Sequence, residues 1–455
     1  MKKVDIVIRY EHKVRELESI MLLKIEMERR GYTVEFTANY DFFQDERSIN
    51  PRLIVSPAIY NDGQLNFDLS RYGLKKKIVN LLAEQLMGIK EEEDPDGYHN
   101  VTGTAQRIVT FCWGENTKRR LVAAGLEEDK ALVVGQLSTD MLHGPLAKTL
   151  KNKIELSKLY GIDENKRWNL FISSFAYCEL DDFQRVNIRN IYGEKYLNEF
   201  TEVSLKSREQ ILEWFEAILK LYPDDIIIYR PHPDEARKSN ALRLLEKQYD
   251  NFRVIADLPI KHWINAADKI YNWYSTGIID AQVLKKPIRI LRPCFIPEDY
   301  DYRILYHTNH IQTLNDFLKD YESLDTDKGL DYSVISDYYY IPDSYVYIKI
   351  CDVLEEMLNS NKFDIRYSLS EYYHFGRLYL RRKFVESVNF LEPYARKMHL
   401  FNKVFKRRDT LRKVLKEGYK KNIATAYEIE DMYNLLKPII DIYNSPQDDT
   451  NKKRS

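Results

Sequence analysis

Two short segments of the sequence carry side chains that can bind a phosphate. The first is Arg230-Pro231-His232-Pro233, which directly follows the apolar run Ile226–Tyr229. A histidine donates hydrogen bonds to an oxyanion, and an arginine adds a fixed positive charge if its side chain turns toward the ligand. Because the two prolines have no amide donor, we expect a strand to end here and to present His232 beyond its carboxyl end. Open α/β sheets bind their ligands at that edge.

The second segment is Ser275-Thr276-Gly277, which lies between a strand-like run, Lys269–Tyr274, and an apolar helical stretch that contains Asp280. The first amides of a helix are unpaired and lie at the positive end of its dipole, so a turn at this point suits a phosphate. An equally simple interpretation is that Ser275 or Thr276 is an ordinary helix N-cap.

The first segment also has a purely structural alternative, in which His232 fills a gap between prolines and Arg230 pairs with a surface acid. We favour one phosphate site because both turns would lie at the carboxyl edge of the same parallel sheet.

Weaker candidates occur elsewhere in the chain. Ser173 and Ser174 follow the predicted strand Trp168–Ile172, where hydroxyls either bond an oxyanion or only turn the chain. Glu11, His12 and Glu84 are candidate bases, although acids on loops are commonly just solvated.

The elements that would position these residues alternate between strand and helix. Strand Val4–Ile8, a helix that Gly31 ends, and strand Thr33–Thr37 form a βαβ opening. Its first turn lacks the Gly-rich dinucleotide fingerprint, which argues against an NAD site. Further strands are predicted at Leu53–Val55, Ile78–Leu82, Ile108–Cys112, Ala131–Val134, Trp168–Ile172, Phe252–Ile255 and Ile288–Leu291.

This pattern predicts an α/β protein with three segments. Residues 1–150 form a Rossmann-like domain, residues 165–360 form a second one, and residues 361–455 form a basic helical extension with a disordered tail after Ser445. In the second domain, Ser207-Arg208-Glu209-Gln210 has the form of a capping box that would begin a helix.

Charge is unevenly distributed along the chain. The net charge of −1 gives no bias toward nucleic acid, yet the residues from Asn361 onward include 21 Lys/Arg and 12 Asp/Glu. Aromatic residues interleave with basic ones there, so residues 377–421 suit an amphipathic helix on an anionic membrane. The alternative is a helical extension that packs back across the protein.

The composition also restricts cofactors and location. Four well-separated cysteines without C-x-x-C spacing indicate neither a zinc cluster nor a disulfide framework, which fits a reducing cytoplasm: Cys112, Cys178, Cys294 and Cys351. No stretch approaches the roughly 20 apolar residues of a membrane span. We therefore expect a cytoplasmic protein without a metal or cofactor, whose membrane role, if any, is peripheral at the inner face of the plasma membrane.

The sequence resembles the bacterial surface-carbohydrate and capsule biosynthesis proteins of the GT-B type, relatives of the CDP-glycerol glycerophosphotransferases and of bacterial sialyltransferases. The resemblance covers most of residues 1–295. It rests on Glu11-His12-Lys13-Val14-Arg15-Glu16-Leu17-Glu18, Asn80-Leu81-Leu82-Ala83-Glu84-Gln85, Cys112-Trp113-Gly114-Glu115, Arg230-Pro231-His232-Pro233-Asp234-Glu235, and Ser275-Thr276-Gly277 with Asp280-Ala281 and Lys286-Pro287.

The resemblance implies a GT-B fold in which two doubly wound domains face a cleft. The His-Pro segment, with Glu235, and the serine turn, with Asp280, would bind a CMP- or CDP-linked donor, and the first domain would supply acceptor and base groups. The glycerophosphotransferases usually have an acid where Trp273 stands here, which favours a sugar transferase. A CDP-polyol phosphotransferase and a non-catalytic nucleotide-binding partner of an assembly complex are the alternatives.

Overall fold

The computed structural model describes residues 2–39, 49–232, 235, 239–306, 308–323, 332–397 and 422–444. They form two compact units. The first unit contains the described residues of Met1–Gln85, His99–Asp140 and Tyr338–Ser455, and the second contains those of Leu86–Tyr98 and Met141–Asp337. The structure therefore sets the boundaries differently from the predicted segments, because residues 338–360 and the extension that follows belong to the first unit.

The first unit is built on a six-stranded parallel sheet. Its strands are β1 (Lys2–Tyr10), β2 (Val34–Ala38), β3 (Ile49–Ser56), β4 (Lys77–Asn80), β5 (Val109–Cys112) and β6 (Ala131–Val133). They lie in the order β2-β1-β3-β4-β5-β6, and every neighbouring pair is parallel. The carboxyl ends of β1 and β4 therefore reach the same edge of the sheet.

The second unit repeats this architecture. Its strands are β7 (Trp168–Ile172), β8 (Ile226–Arg230), β9 (Phe252–Val254), β10 (Lys269–Asn272), β11 (Ile288–Leu291) and β12 (His310–Ile311), in the order β12-β11-β10-β7-β8-β9. All neighbouring pairs are parallel. Strands β7 and β8 are buried at every position, as expected of apolar strands that are covered on both faces.

Helices connect and cover both sheets. In chain order they are α1 (Lys13–Arg29), α2 (Asp62–Tyr72), α3 (Ile89–Glu93), α4 (Glu115–Ala123), α5 (Lys153–Tyr160), α6 (Asp182–Leu221), α7 (Asn240–Gln248), α8 (Ile260–Ala266), α9 (Ile278–Val283), α10 (Arg303–Tyr306), α11 (Leu314–Glu322), α12 (Tyr332–Tyr338), α13 (Val346–Asn359), α14 (Leu369–Lys397) and α15 (Ala426–Asn444). Among the described residues, no helix is long and apolar enough to cross a membrane.

Helix α6 consists of two helices joined at Gly193, whose φ of 89° lies outside the helical region. Its true start is a capping box in which Asp181 and Gln184 exchange side-chain and backbone hydrogen bonds. Ser207 lies in the interior of α6 with none of its surface exposed. The predicted capping box at Ser207 is therefore wrong, because Ser207 lies 14 residues past Gly193, well inside the second of these two helices.

The C-terminal helices pack back on the first unit. Helix α13 contacts α1 and β3, α14 contacts α2, and α15 contacts α1. Phe375 of α14 is 1% exposed and belongs to the core of the first unit. The described part of the extension thus follows the packed-back alternative, while residues 398–421 and the predicted tail after Ser445 lie outside the described residues.

A buried carboxylate anchors the first of these helices. Asp140, with none of its surface exposed, accepts hydrogen bonds from the backbone amides of Val346 and Tyr347 at 2.8 and 2.7 Å. These are first-turn amides of α13, which have no acceptor within the helix itself. A side chain some 200 residues earlier in the chain therefore fixes the start of α13.

We predict that Asp140→Ala lowers the free energy of unfolding of the first unit by about 2 kcal/mol, because it leaves two buried amides without their acceptor. Urea denaturation measures the loss. The matched control is Asp129→Ala, whose side chain is 69% exposed and which should change the value by no more than about 0.5 kcal/mol. Equal effects of the two substitutions would contradict this role of Asp140.

Candidate functional site

Three adjacent strands of the second sheet end at the same level. Ile172, the last residue of β7, pairs with Arg230 of β8 on one side and with Asn272 of β10 on the other. Neighbouring strands lie about 4.8 Å apart, so the segments that follow them share a small area. The structure therefore brings together the serines after β7, the His-Pro segment after β8 and the serine turn after β10.

A buried carboxylate lies beneath this edge. Glu235, with none of its surface exposed, accepts hydrogen bonds from the hydroxyls of Ser173 and Tyr229 and, at 3.2 Å, from the backbone amide of His232. The two hydroxyl oxygens are 2.9 Å apart, and the Ser173 oxygen also accepts from the amide of Phe175 at 3.3 Å. We call Ser173, Tyr229 and Glu235 the Glu235 cluster.

The Glu235 cluster fixes the shape of the segment that carries His232. Burial raises the pKa of Glu235, although the three hydrogen bonds that it accepts favour its charged form. The amide of Glu235 also donates to the carbonyl of His232 at 2.9 Å, which closes the turn. Ser173 and Glu235, both predicted to bind nucleotide, thus have buried partners within the protein, and what they contribute is the position of His232.

Arg230 is likewise turned into the body of the unit. Its guanidinium donates to the backbone carbonyls of Ile255 and Leu258 at 2.8 and 2.7 Å, and also to that of Asp257. Burial lowers the pKa of Arg230 to about 10. Arg230 therefore holds the loop that follows β9. To place its positive charge at a phosphate, as expected from the sequence, its side chain would have to face the other way.

The turn after β10 is held by Asn272. Its side-chain oxygen accepts from the amide of Ser275 at 3.0 Å, and its side-chain nitrogen donates to the Ser275 carbonyl at 3.1 Å. The Ser275 hydroxyl accepts from the amide of Gly277 at 3.2 Å. A Cβ at Gly277 would lie 3.3 Å from the side chain of Ile172, so a glycine lets this turn approach the end of β7.

Trp273 and Asp280 flank this turn. Trp273 is fully buried and stacks on Phe175 with ring centroids 4.4 Å apart, so the position where the glycerophosphotransferases usually have an acid belongs to the aromatic core here. Burial raises the pKa of Asp280 to about 6, against the nearby charge of Lys261. Helix α9 has only six residues, which makes its dipole weaker than the sequence suggested.

Among the described residues, only some of the polar groups at this edge reach the surface. Thr276 is exposed, while Ser174, His232 and Ser275 are half-buried. Ser174 lies at the start of a short 3-10 helix, Phe175–Glu179, without capping it through its side chain. Within the described part of this edge, these side chains and the backbone of the Ser275–Gly277 turn are groups that can contact a ligand.

The candidate bases of the first unit lie along the carboxyl edge of its sheet. Glu11 and His12 follow β1, and Glu84 lies in the loop after β4. The amides of Glu11 and His12 donate to the carboxylate of Glu16 at 2.9 and 3.2 Å, so the N-terminus of α1 has an acceptor of its own. The segment that carries His12 is thereby held in place.

Glu84 is ion-paired with Arg15, with 2.6 Å between the carboxylate oxygen and Nη1. Desolvation pushes the pKa of Glu84 up, but the charge of Arg15 and its hydrogen bond to the carboxylate outweigh desolvation, so the pKa is lowered. The Glu84 side chain is 55% exposed, which limits its desolvation. The ion pair with Arg15 is therefore the main reason that the pKa of Glu84 is lowered. A carboxylate held charged is a weak base, so His12 is the better candidate for accepting a proton.

Sequence reasoning missed three residues that shape these edges: Tyr229, Asn272 and Arg15. Tyr229 had a usable signal, since a tyrosine in a buried strand needs a partner for its hydroxyl. Asn272 had one too, because asparagine side chains commonly bond the backbone of a following turn. Nothing in the sequence indicated that Arg15 would pair with Glu84. Among the described residues, no group of three or more potential metal-binding side chains occurs.

Solved structures with a similar fold include those of the wall teichoic acid polymerase TagF. A variant of the wall teichoic acid polymerase TagF soaked with CDPG aligns with a TM-score of 0.52 at 13% identity, covering 78% of this chain and 88% of that one. A second TagF variant gives 0.52 at 12% identity, with 78% and 89% covered. The S. aureus MnaA–UDP structure aligns with a TM-score of 0.47 at 13% identity, with 79% of this chain and 97% of that one covered.

The chain matches no protein-family model and no curated protein sequence. Identities this low show the fold alone. The chain has the GT-B fold, with two Rossmann-like units and a C-terminal helical region, and the expected fold class is confirmed.

We predict that Tyr229→Phe lowers the free energy of unfolding of the second unit by about 1–3 kcal/mol, because the buried Glu235 carboxylate loses a donor. The matched control is Tyr222→Phe, which also removes a tyrosine hydroxyl that donates to a carboxylate, that of Glu322, but at an exposed site. That control should cost less than about 1 kcal/mol. Chemical denaturation measures the free energy of unfolding of both variants. Equal losses in the two would contradict a stabilising role for the buried hydrogen bond of Tyr229.

Proposed function

We propose that the protein is a glycosyltransferase that transfers a sugar from a cytidine-nucleotide donor to a bacterial surface or capsular polysaccharide. The observation that carries the proposal is the alignment of Ser174, His232 and the Ser275–Gly277 turn on three adjacent strand ends. Hydroxyls, an imidazole and backbone amides are the groups that bind phosphate oxygens. The resemblance of the sequence to cytidine-nucleotide transferases supports the choice of nucleotide.

The proposed reaction needs a base for the acceptor and a site for the departing nucleotide. An acceptor hydroxyl attacks the anomeric carbon of the donor, the bond between that carbon and the phosphate oxygen breaks, and the hydroxyl proton passes to a base. His12 is the proposed base. His232 and the hydroxyls after β7 and β10 stabilise the negative charge that develops on the departing nucleotide. On this proposal no metal is needed, and activity persists in excess chelator.

A second candidate function is a CDP-polyol phosphotransferase of teichoic-acid-like polymer synthesis. The specific observation in its favour is the likeness in fold to TagF, a wall teichoic acid polymerase whose structure was determined after soaking with CDPG. The burial of Trp273 in the core, where the glycerophosphotransferases usually have an acid, favours the sugar transferase instead. The third candidate is a non-catalytic nucleotide-binding partner of a polysaccharide assembly complex.

We propose a glycan or a lipid-linked glycan as the acceptor. We propose further that the protein acts at the inner face of the plasma membrane, where the basic residues 377–421 hold it by peripheral contact. Residues 398–421 of this segment lie outside the described residues.

Product analysis separates the three candidates. We expect the wild-type protein, given a CMP- or CDP-linked sugar and a glycan acceptor, to form a new glycosidic bond and release the nucleotide, with equal yield in excess chelator. A new phosphodiester in the product would establish the phosphotransferase instead. Nucleotide binding without turnover on any acceptor would favour the non-catalytic partner.

We predict that His232→Ala weakens binding of the donor nucleotide by roughly ten- to a hundredfold, because a hydrogen bond to a charged phosphate contributes about 1.5–3 kcal/mol. Thr276→Val should weaken it by a smaller factor. Titration calorimetry measures both, and His374→Ala, on α14 of the first unit, is the histidine control. Unchanged affinity in the two site variants, with unchanged melting temperatures, would refute the site.

A further inference from the structure

Helix α14 carries an apolar stripe on its outward face. Leu369, Tyr373, Leu380 and Phe384 are 92%, 73%, 67% and 69% exposed. Their spacing of four, seven and four residues puts them within about 60° of one another around the helix axis, along about 22 Å of its length. We call these four residues the α14 stripe.

The opposite face of α14 is fixed to the first unit. Phe375 is 1% exposed in the core of that unit, and its ring lies 5.9 Å from that of Tyr367. Glu371 pairs with Arg107 and accepts from the hydroxyl of Thr104 at 2.8 Å. These contacts of Phe375 and Glu371 hold the opposite face of α14 against the first unit. The α14 stripe therefore faces outward.

The charge beside the α14 stripe has a single sign. Residues 372–384 contain four Lys/Arg and no Asp/Glu. Arg377 and Arg381 are exposed and lie one turn apart beside the stripe. The nearest acids in sequence are Glu371, which faces the body of the unit in its pair with Arg107, and Glu386, whose side chain lies outside the described part of the structure.

We propose that the α14 stripe and its flanking arginines are a docking surface for an anionic lipid bilayer. Exposed leucine, phenylalanine and tyrosine side chains insert at the headgroup boundary, and arginines beside them attract anionic headgroups. A second copy of this chain would bring like charges together across the interface, which disfavours self-association. The proposal deepens the peripheral contact proposed above by naming the apolar surface that makes it, and it does not depend on which reaction the protein catalyses.

The test is flotation of the full chain with vesicles of phosphatidylglycerol and phosphatidylcholine, compared with phosphatidylcholine alone. We expect the wild type to bind the anionic vesicles. Leu380→Ser/Phe384→Ser should weaken this binding at least about tenfold by removing the inserting side chains. Arg377→Gln/Arg381→Gln should weaken it by about tenfold, and added salt should weaken the wild type in the same way.

The matched control is Leu244→Ser/Phe295→Ser in the second unit, where the two side chains are 66% and 74% exposed. It should bind vesicles as the wild type does. Wild-type binding to neutral vesicles with equal affinity, or unchanged binding by the Leu380→Ser/Phe384→Ser variant, would overturn the proposal. So would a concentration-dependent dimer in analytical ultracentrifugation that this variant abolishes, because the stripe would then be an interface between copies.

Discussion

The hydrogen bonds of Glu235 are the constraint on which the second unit's candidate site depends. A carboxylate without solvent contact is costly unless donors surround it, and here Ser173, Tyr229 and the His232 amide supply them. These donors come from the end of β7, from β8 and from the following turn. Satisfying one buried group therefore joins two strand ends and leaves little freedom in the backbone that carries His232.

The first unit solves a similar problem near its surface. The Glu16 carboxylate accepts hydrogen bonds from the amides of Glu11 and His12. Arg15 pairs with both Glu16 and Glu84, and so links the segment after β1 to the loop after β4. Arg15 and Glu84 are about half exposed, so their ion pair orients the loop and does not form a core. In both units, side chains that could have bound a ligand instead hold the neighbouring histidine in position, which is why His12 and His232 are the residues to which we assign chemistry.

The sequence predicted the strands well because buried parallel strands are short, apolar and rich in branched side chains. Trp168–Ile172 and Ile288–Leu291 have the predicted bounds. It could not predict the direction of Arg230, since a strand without polar alternation does not show which face a side chain takes, and the carbonyls at Ile255 and Leu258 come from another segment. The helix start predicted at Ser207 was wrong for a related reason. A capping-box sequence inside a long helix has the same residue pattern as one at its start.

The assignment of the second unit as a cytidine-nucleotide site is the central claim, and nucleotide binding to the wild-type protein tests it most directly. A ligand that binds only the native state must raise its apparent stability, so thermal-shift measurements with CMP, CDP, UDP and GDP report binding without knowledge of the acceptor. We expect CMP or CDP to raise the melting temperature and UDP and GDP to leave it unchanged. A shift with UDP or GDP alone, or with none of the four, would contradict the claim.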